Sequence, residues 1–392
     1  MKKKLLVIIP DRFFRASGGM GANSEPVFEQ LSYKFDIYVV GFPLEGTPVP
    51  SYIKGYHEVR SVFTEIKFGP LDTCAVQTRY FAAAVGFPRP DVIYAFDWSI
   101  YQAAVEVARH FKAPLVARMC LSPILLQRQG YTYGLDMNQR TERAIHTALC
   151  EMEIRGLQAA DKVVHISEGY RQEYEQYIPA FKEKTVVVPN GINFSRWNDP
   201  AYVPYELPGR KDKKKIIFIG RITPTKGIEI LCKAKVPDEF DLIIIGPRHS
   251  ADSKCFDLIQ EKTKEASNVF YMDAVYDEEK IQALKNAYAM IIPSLHEPFG
   301  TVGLEGLAAQ CIVLSSRVGG LGDFLTDTNS IYCGTSVQDI ELAYEKLRAL
   351  SDEERAYMIE SGVNTCKAYS VEASAQQLHK VFESLIHKTK TR

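Results

Sequence analysis

The sequence predicts an α/β protein built from two doubly wound parallel sheets, and three observations carry that prediction. Short β-rich apolar runs alternate with amphipathic segments from one end of the chain to the other. The runs are continuously apolar rather than alternating, as strands buried on both faces of a parallel sheet require. The pattern breaks once, at residues 198–215, where three prolines and a closing basic run have the composition of an exposed linker.

In the first half, residues 5–9, 37–40, 92–94, 115–117, 162–166 and 185–188 read as strands, and 25–33, 100–111, 141–160 and 168–177 as helices. After the break the pattern restarts, with strands at 216–219, 242–245, 269–271, 290–292, 311–315 and 331–332. A length of 392 residues exceeds one ordinary core, so the halves are expected to be two Rossmann-like domains facing across a cleft. The expected division is 1–200, a linker at 201–215, and 216–370. A final amphipathic helix at 371–392 is expected to pack back on the N-terminal domain.

Composition closes several alternatives. A formal net charge of -1 leaves no basic field to hold nucleic acid. The eight cysteines are scattered, without a CxxC pair or regular spacing, which disfavours zinc and disulfide frameworks and suits free thiols in a reducing compartment. The opening MKKKLLVIIP has a basic start, but its apolar run ends at Pro10-Asp11, too short for a signal peptide's core. No run approaches the roughly 18–20 apolar residues of a membrane span. The expectation is a cytoplasmic protein, with peripheral membrane contact left open, acting as a monomer or homodimer.

Chemistry concentrates in two segments. Glu297-Pro298-Phe299-Gly300-Thr301-Val302-Gly303-Leu304-Glu305 follows the strand at 290–292. A helix beginning near Gly300 would direct the backbone N–H groups of 300–302 out of its N-terminus, where they and the helix dipole suit a phosphate. Glu305 then lies roughly 7–8 Å further along the axis, about the length of a diphosphate. One carboxylate is placed to meet hydroxyls of a sugar, the other those of a ribose. The second segment, Gly220-Arg221-Ile222-Thr223-Pro224-Thr225-Lys226-Gly227, follows the strand at 216–219. Its two cations stand at the carboxyl end of a strand, where open α/β sheets bind ligands, and both suit phosphate oxygens. The Walker A spacing is missing. There is no DxD-type metal signature, so no metal or other cofactor is expected.

GRITPTKG and EPFGTVGLE together resemble the retaining glycosyltransferases of the GT-B fold, family four in particular. The resemblance extends over nearly the whole chain, through Asp161-Lys-Val-Val-His-Ile-Ser167, Val188-Pro189-Asn190-Gly191-Ile192, Ala289-Met-Ile-Ile-Pro293-Ser294 and Val318-Gly319-Gly320-Leu321. Ala95-Phe96-Asp97-Trp98 and the Glu297-Pro298-Phe299-Gly300 form lean toward the glycogen-synthase-like branch. The resemblance implies transfer of a hexosyl group, with retention, from an ADP-, UDP- or GDP-sugar to a glycan or other hydroxyl acceptor, without a metal. It gives Arg221, Lys226 and Glu297 the catalytic roles. Arg221 and Lys226 would hold the donor diphosphate, and Glu297 would meet the transferred sugar. Phe299, Gly300, Thr301 and Val302 would complete the phosphate side, and Glu305 would meet the ribose. Gly19 and Gly21, in the glycine-rich Ser17-Gly18-Gly19-Met20-Gly21 after the first strand, would approach the donor from the N-terminal domain.

Two departures stand out. Many relatives place a histidine after the strand at 115–117, at the position of Met119 or Cys120 in this chain; either Arg118 or Ser122 substitutes for it or the acceptor site is rebuilt. Gln310 stands where relatives often have glycine. Two other readings remain open: a sugar-nucleotide epimerase, and a weakly active homologue that binds a nucleotide sugar or glycan.

Overall fold

The apolar runs pair into two separate sheets, each parallel throughout. The computed structural model describes residues 2–10, 19–60, 70–128, 138–197, 205–248 and 252–390, with backbone alone at 19–23, 70–75 and 389–390. Residues Met1–Gly191 and Val371–Arg392 form one compact unit and Ile192–Ser370 a second. The division therefore falls at Gly191/Ile192, earlier than the linker expected at 201.

The first sheet contains β1 (Lys3–Ile8), β2 (Phe35–Gly41), β3 (Ile53–Glu58), β4 (Val92–Phe96), β5 (Leu115–Met119), β6 (Lys162–His165) and β7 (Thr185–Val187), in the order β3-β2-β1-β4-β5-β6-β7. Its helices are α1 (Gly19–Ser32), α2 (Pro70–Val85), α3 (Tyr101–Phe111), α4 (Pro123–Arg128), α5 (Arg140–Ala159) and α6 (Glu168–Tyr177). Successive side chains of a strand point to opposite faces. Leu115, Ala117 and Met119 of β5 accordingly join the core with α3 and α5, whereas Val116 joins the opposite one. Three of these elements were not among the sequence expectations. β3 reads IKGYHE and is half-exposed at the sheet's edge, so it lacks the continuous apolar run of its neighbours. The other two are α2 and the short α4.

The second unit opens with α7 (Phe194–Trp197) and carries β8 (Lys214–Ile219), β9 (Phe240–Ile245), β10 (Val269–Met272), β11 (Ala289–Ile292), β12 (Ile312–Ser315) and β13 (Ser330–Tyr332). Their order is β10-β9-β8-β11-β12-β13. Its further helices are α8 (Ile228–Lys233), α9 (Ser253–Glu265), α10 (Asp277–Asn286), α11 (Thr301–Ala308), α12 (Val337–Ala349) and α13 (Asp352–Ala368). Part of the expected linker, 198–204, lies outside the described residues. The remainder is not loose: the buried carboxylate of Asp241 accepts from Arg210 Nε at 2.8 Å, Arg210 N at 2.6 Å and Lys215 Nζ at 2.7 Å. Residues 210–215 are thereby tied to β9 of the second unit.

The last helix, α14 (Val371–Lys390), returns to the first unit, as the expected two-domain fold has it. Its Val371, Ala375, Leu378, Phe382, Leu385 and Ile386 enter the core built by α1 and β1, β2 and β4. Phe382 packs edge-on against Phe35 and Tyr94. Among the described residues no helix is long and apolar enough to cross a membrane.

Candidate functional site

In each sheet the chain starts on a central strand, builds outward on one side, then crosses to the other. In the second unit this reversal lies between β8 and β11, which pair directly. The loops leaving their carboxyl ends, 220–227 and 293–300, are the two segments the sequence singled out. A crevice outside the carboxyl ends at such a reversal is the usual ligand position in an open α/β sheet.

The loops are stitched by backbone. Thr225 O accepts from Leu295 N at 2.8 Å and from His296 N at 3.3 Å. Gly227 has φ +72°, and a Cβ there would lie 2.0 Å from Pro293 O, so no side chain fits between the loops. This contact sets Lys226 against Glu297, and the two form an ion pair with both side chains mostly buried. Ser294 Oγ donates to Glu297 Oε2 at 3.3 Å, and Ser316 Oγ in turn donates to Ser294 O at 2.7 Å. The backbone of Glu297 is clamped from the other side. Its carbonyl accepts from Gly320 N at 2.9 Å, and a Cβ on Gly319 would stand 2.2 Å from that oxygen. The Gly319-Gly320 turn, noted in the sequence only as a family feature, thus holds the acid in place.

Helix α11 begins at Thr301, with Gly300 as its N-cap at φ +88° and no side-chain cap. The amides of 300–302 therefore lie at its N-terminus, as expected. Glu305 lies on the same helix and pairs with Lys280 of α10, a partner the sequence reading missed. Nothing in the DEEK run signals it, because the pair joins two helices 25 residues apart in sequence. Arg221 is exposed and has no side-chain partner among the described residues, unlike Lys226. Phe299 requires a correction. Its ring is 2% exposed and packs against Phe324 and Tyr369, so the side chain belongs to the core and anchors the loop. Only its main chain is available to a ligand. The buried imidazole of His296 is pushed down to about 4 by loss of solvation, with Glu297 opposing and Lys226 adding to that shift.

Gly19 and Gly21 lie in the first turn of α1, in the first unit, and Ser17 and Gly18 fall outside the described residues. At the carboxyl edge of β5, neither expected substitute for the histidine is available. Arg118 is buried, donating to Tyr94 Oη at 2.7 Å and to Asn190 Oδ1, with its guanidinium 5.4 Å from the Phe96 ring centre. Ser122 is buried and donates to Glu153 Oε2 at 3.0 Å. Met119 itself is in the core.

Residues 206–365 match the family model described as glycosyl transferases group 1, and 24–191 match the glycosyl transferase 4-like domain. The chain belongs to the group 1 glycosyltransferases. It is 28% identical over 283 residues to an uncharacterized glycosyltransferase of Methanocaldococcus jannaschii, a match covering 68% of each chain. A glycogen synthase of Mycobacterium tuberculosis is 26% identical over 241 residues, covering 60% of this chain and 54% of that one. Among solved structures, sucrose-phosphate synthase from Thermosynechococcus elongatus superposes with a TM-score of 0.79 at 17% identity, covering 98% of this chain and 100% of that chain. At that identity the likeness concerns the fold, which for this group 1 glycosyltransferase is GT-B.

Proposed function

We propose that this group 1 glycosyltransferase moves a hexosyl group, with retention and without a metal, from a nucleotide-diphosphate sugar to a glycan or other hydroxyl acceptor. The observation that carries the reading is the stitched pair of loops at the β8/β11 reversal. They bring Arg221, Lys226, Glu297 and the first turn of α11 to one sheet edge.

Breaking the bond between the sugar's anomeric carbon and the diphosphate leaves negative charge on phosphate and positive character on the sugar. Arg221 and Lys226 supply fixed positive charge, and the amides at the start of α11 supply donors for phosphate oxygens. Lys226 exchanges its contact with Glu297 for the diphosphate, which frees that carboxylate for the sugar hydroxyls. Glu305, steadied by Lys280, accepts from the ribose hydroxyls. The acceptor oxygen bonds to the anomeric carbon on the face the diphosphate leaves, and its proton passes to a departing phosphate oxygen. Such front-face attack needs no carboxylate nucleophile of the kind retaining hydrolases use.

The test is a panel of ADP-, UDP- and GDP-sugars, with and without glycan acceptors, read as release of nucleoside diphosphate. Release from one donor, unchanged by EDTA, is the expected result. Tight donor binding with no release from any donor would replace the enzyme by a binding homologue, the reading that buried Met119 favours. Conversion of the donor to its epimer would make the protein an epimerase.

A further inference from the structure

The first unit buries an acid that the mechanism above does not use. Glu153 of α5 is fully buried, and its Oε1 has no hydrogen-bond partner among the described residues. Its Oε2 accepts from Ser122 Oγ at 3.0 Å. Ser122 stands where the chain leaves β5 and enters α4. Ser122 Oγ also accepts from Leu125 N at 3.3 Å, so one side chain fixes the start of that helix through two contacts. The segment so held, Met119–Ile124, lies at the carboxyl edge of a parallel sheet next to the β1/β4 reversal, the edge at which such sheets meet ligands. Asp97, directly after β4 at the same edge, is buried with its backbone at φ +68°.

From this geometry we infer that Glu153 is a positioning residue for sugar transfer, holding the turn between β5 and α4 in its working conformation from beneath. The inference rests on the transferase reading and deepens it. Burial pushes Glu153 up to about 8, against the hydrogen bond from Ser122 and with the Asp97 charge adding to the rise. It is therefore the neutral acid at neutral pH. The groups near it are Asp97, Tyr101 of α3, Tyr174 of α6 and Cys150 of its own helix, and Cys150 in turn contacts His146, whose imidazole burial keeps neutral; none is a cation at that pH. Arg118 is directed to the opposite face of the sheet. Ionisation thus creates a charge without a counter-ion beneath the turn, and the turn loosens.

The experiment is the pH profile of kcat/KM for wild type, Glu153→Gln and Glu153→Ala, together with hydrogen exchange of residues 124–128. Wild type is expected to lose activity with an apparent midpoint near 8, and Glu153→Gln to keep its activity through that range. Glu153→Ala should lower kcat roughly tenfold or more with little change in donor KM, because the donor's main contacts are on the second unit. A Glu153→Gln profile superposing on wild type would overturn the inference. If wild type releases no nucleoside diphosphate from any donor, the transferase reading fails by itself. Exchange then decides the positioning claim: faster exchange at 124–128 in Glu153→Ala, but not in Glu153→Gln, supports it, and unchanged exchange in both overturns it.

Discussion

Lys226 and Glu297 occupy one another in the structure, and that arrangement decides what their removal should do. The pair is mostly buried, so deleting the cation leaves a carboxylate with Ser294 as its side-chain donor among the described residues. Stranding one member of a buried pair costs about 3–5 kcal/mol when no solvent reaches it. Partial exposure of both side chains lowers that figure here, so we expect a folded variant with a modest loss of stability. The effect on turnover should be larger, since a fixed donor to developing charge contributes about 10²–10³ in rate. Lys226→Ala is thus predicted to keep a cooperative melt while kcat falls by about two to three orders of magnitude. Unaltered kinetics would remove the site assignment. Arg221 offers a useful contrast, because it is exposed and has no side-chain partner to strand among the described residues. Arg221→Ala should weaken donor binding without moving the melting temperature; a lower melting temperature with unchanged donor affinity would count against its role.

At the level of elements, backbone conformation explains residues whose identity carried little chemical meaning in the sequence. Gln310, which departs from the glycine of many relatives, sits at φ +63° at the end of α11. A left-handed backbone costs a non-glycine residue about 1–2 kcal/mol, part of which glycine returns through its greater freedom in the unfolded chain. Gln310→Gly should therefore raise the stability of the second unit by up to about 1 kcal/mol, seen as a higher denaturation midpoint, and a lower midpoint would refute the strain. The same logic shows what was legible beforehand. The strands of the second sheet were readable as short apolar runs, most plainly β9, β11 and β12, which are buried at every residue. β3 was not, because an edge strand with one glycine and three charged or imidazole side chains has no such signature. In the site, the two loops were legible from glycine and charge placed after strands. Their mutual clamp was not, since it runs through the carbonyls of Thr225 and Glu297, which every residue type possesses. Phe299 misled for a related reason: its position in the motif is at the site, but its ring turns inward to Phe324.

For the whole molecule, the return of α14 makes the first unit discontinuous in sequence. Phe382 is completely buried between Phe35 and Tyr94, so truncation to alanine should cost about 3–5 kcal/mol in that unit, measured by denaturation. A cost under about 1 kcal/mol would mean that the helix does not share the core. Dependence on pH draws both units together, because buried groups of opposite type pull in opposite directions. His165 is pushed down to about 3, chiefly by burial with the Arg171 charge adding, and His296 to about 4. Each is neutral when folded but binds a proton when unfolded below about 6.5, so each removes stability as pH falls from there. Asp97 and Glu153 are raised by burial to about 6 and about 8. They hold protons when folded that the unfolded chain releases above about 4, so each removes stability as pH rises toward its folded value. Between about pH 4.5 and 6 the two histidines and two acids oppose one another at about 1.4 kcal/mol per pH unit each, and the slopes cancel. Below about 4.5 Glu153 drops out, and below about 4 only His165 of the four still acts, down to its folded value near 3; above about 6.5 only Glu153 still removes stability, up to its folded value near 8. The melting temperature should accordingly show a plateau at mildly acid pH and fall on both sides. Glu153→Gln should abolish the alkaline fall and leave the acid one intact. A wild-type melting temperature that climbs steadily from pH 6.5 to 8 would show that Glu153 is ionised in the folded protein, against the burial that defines it.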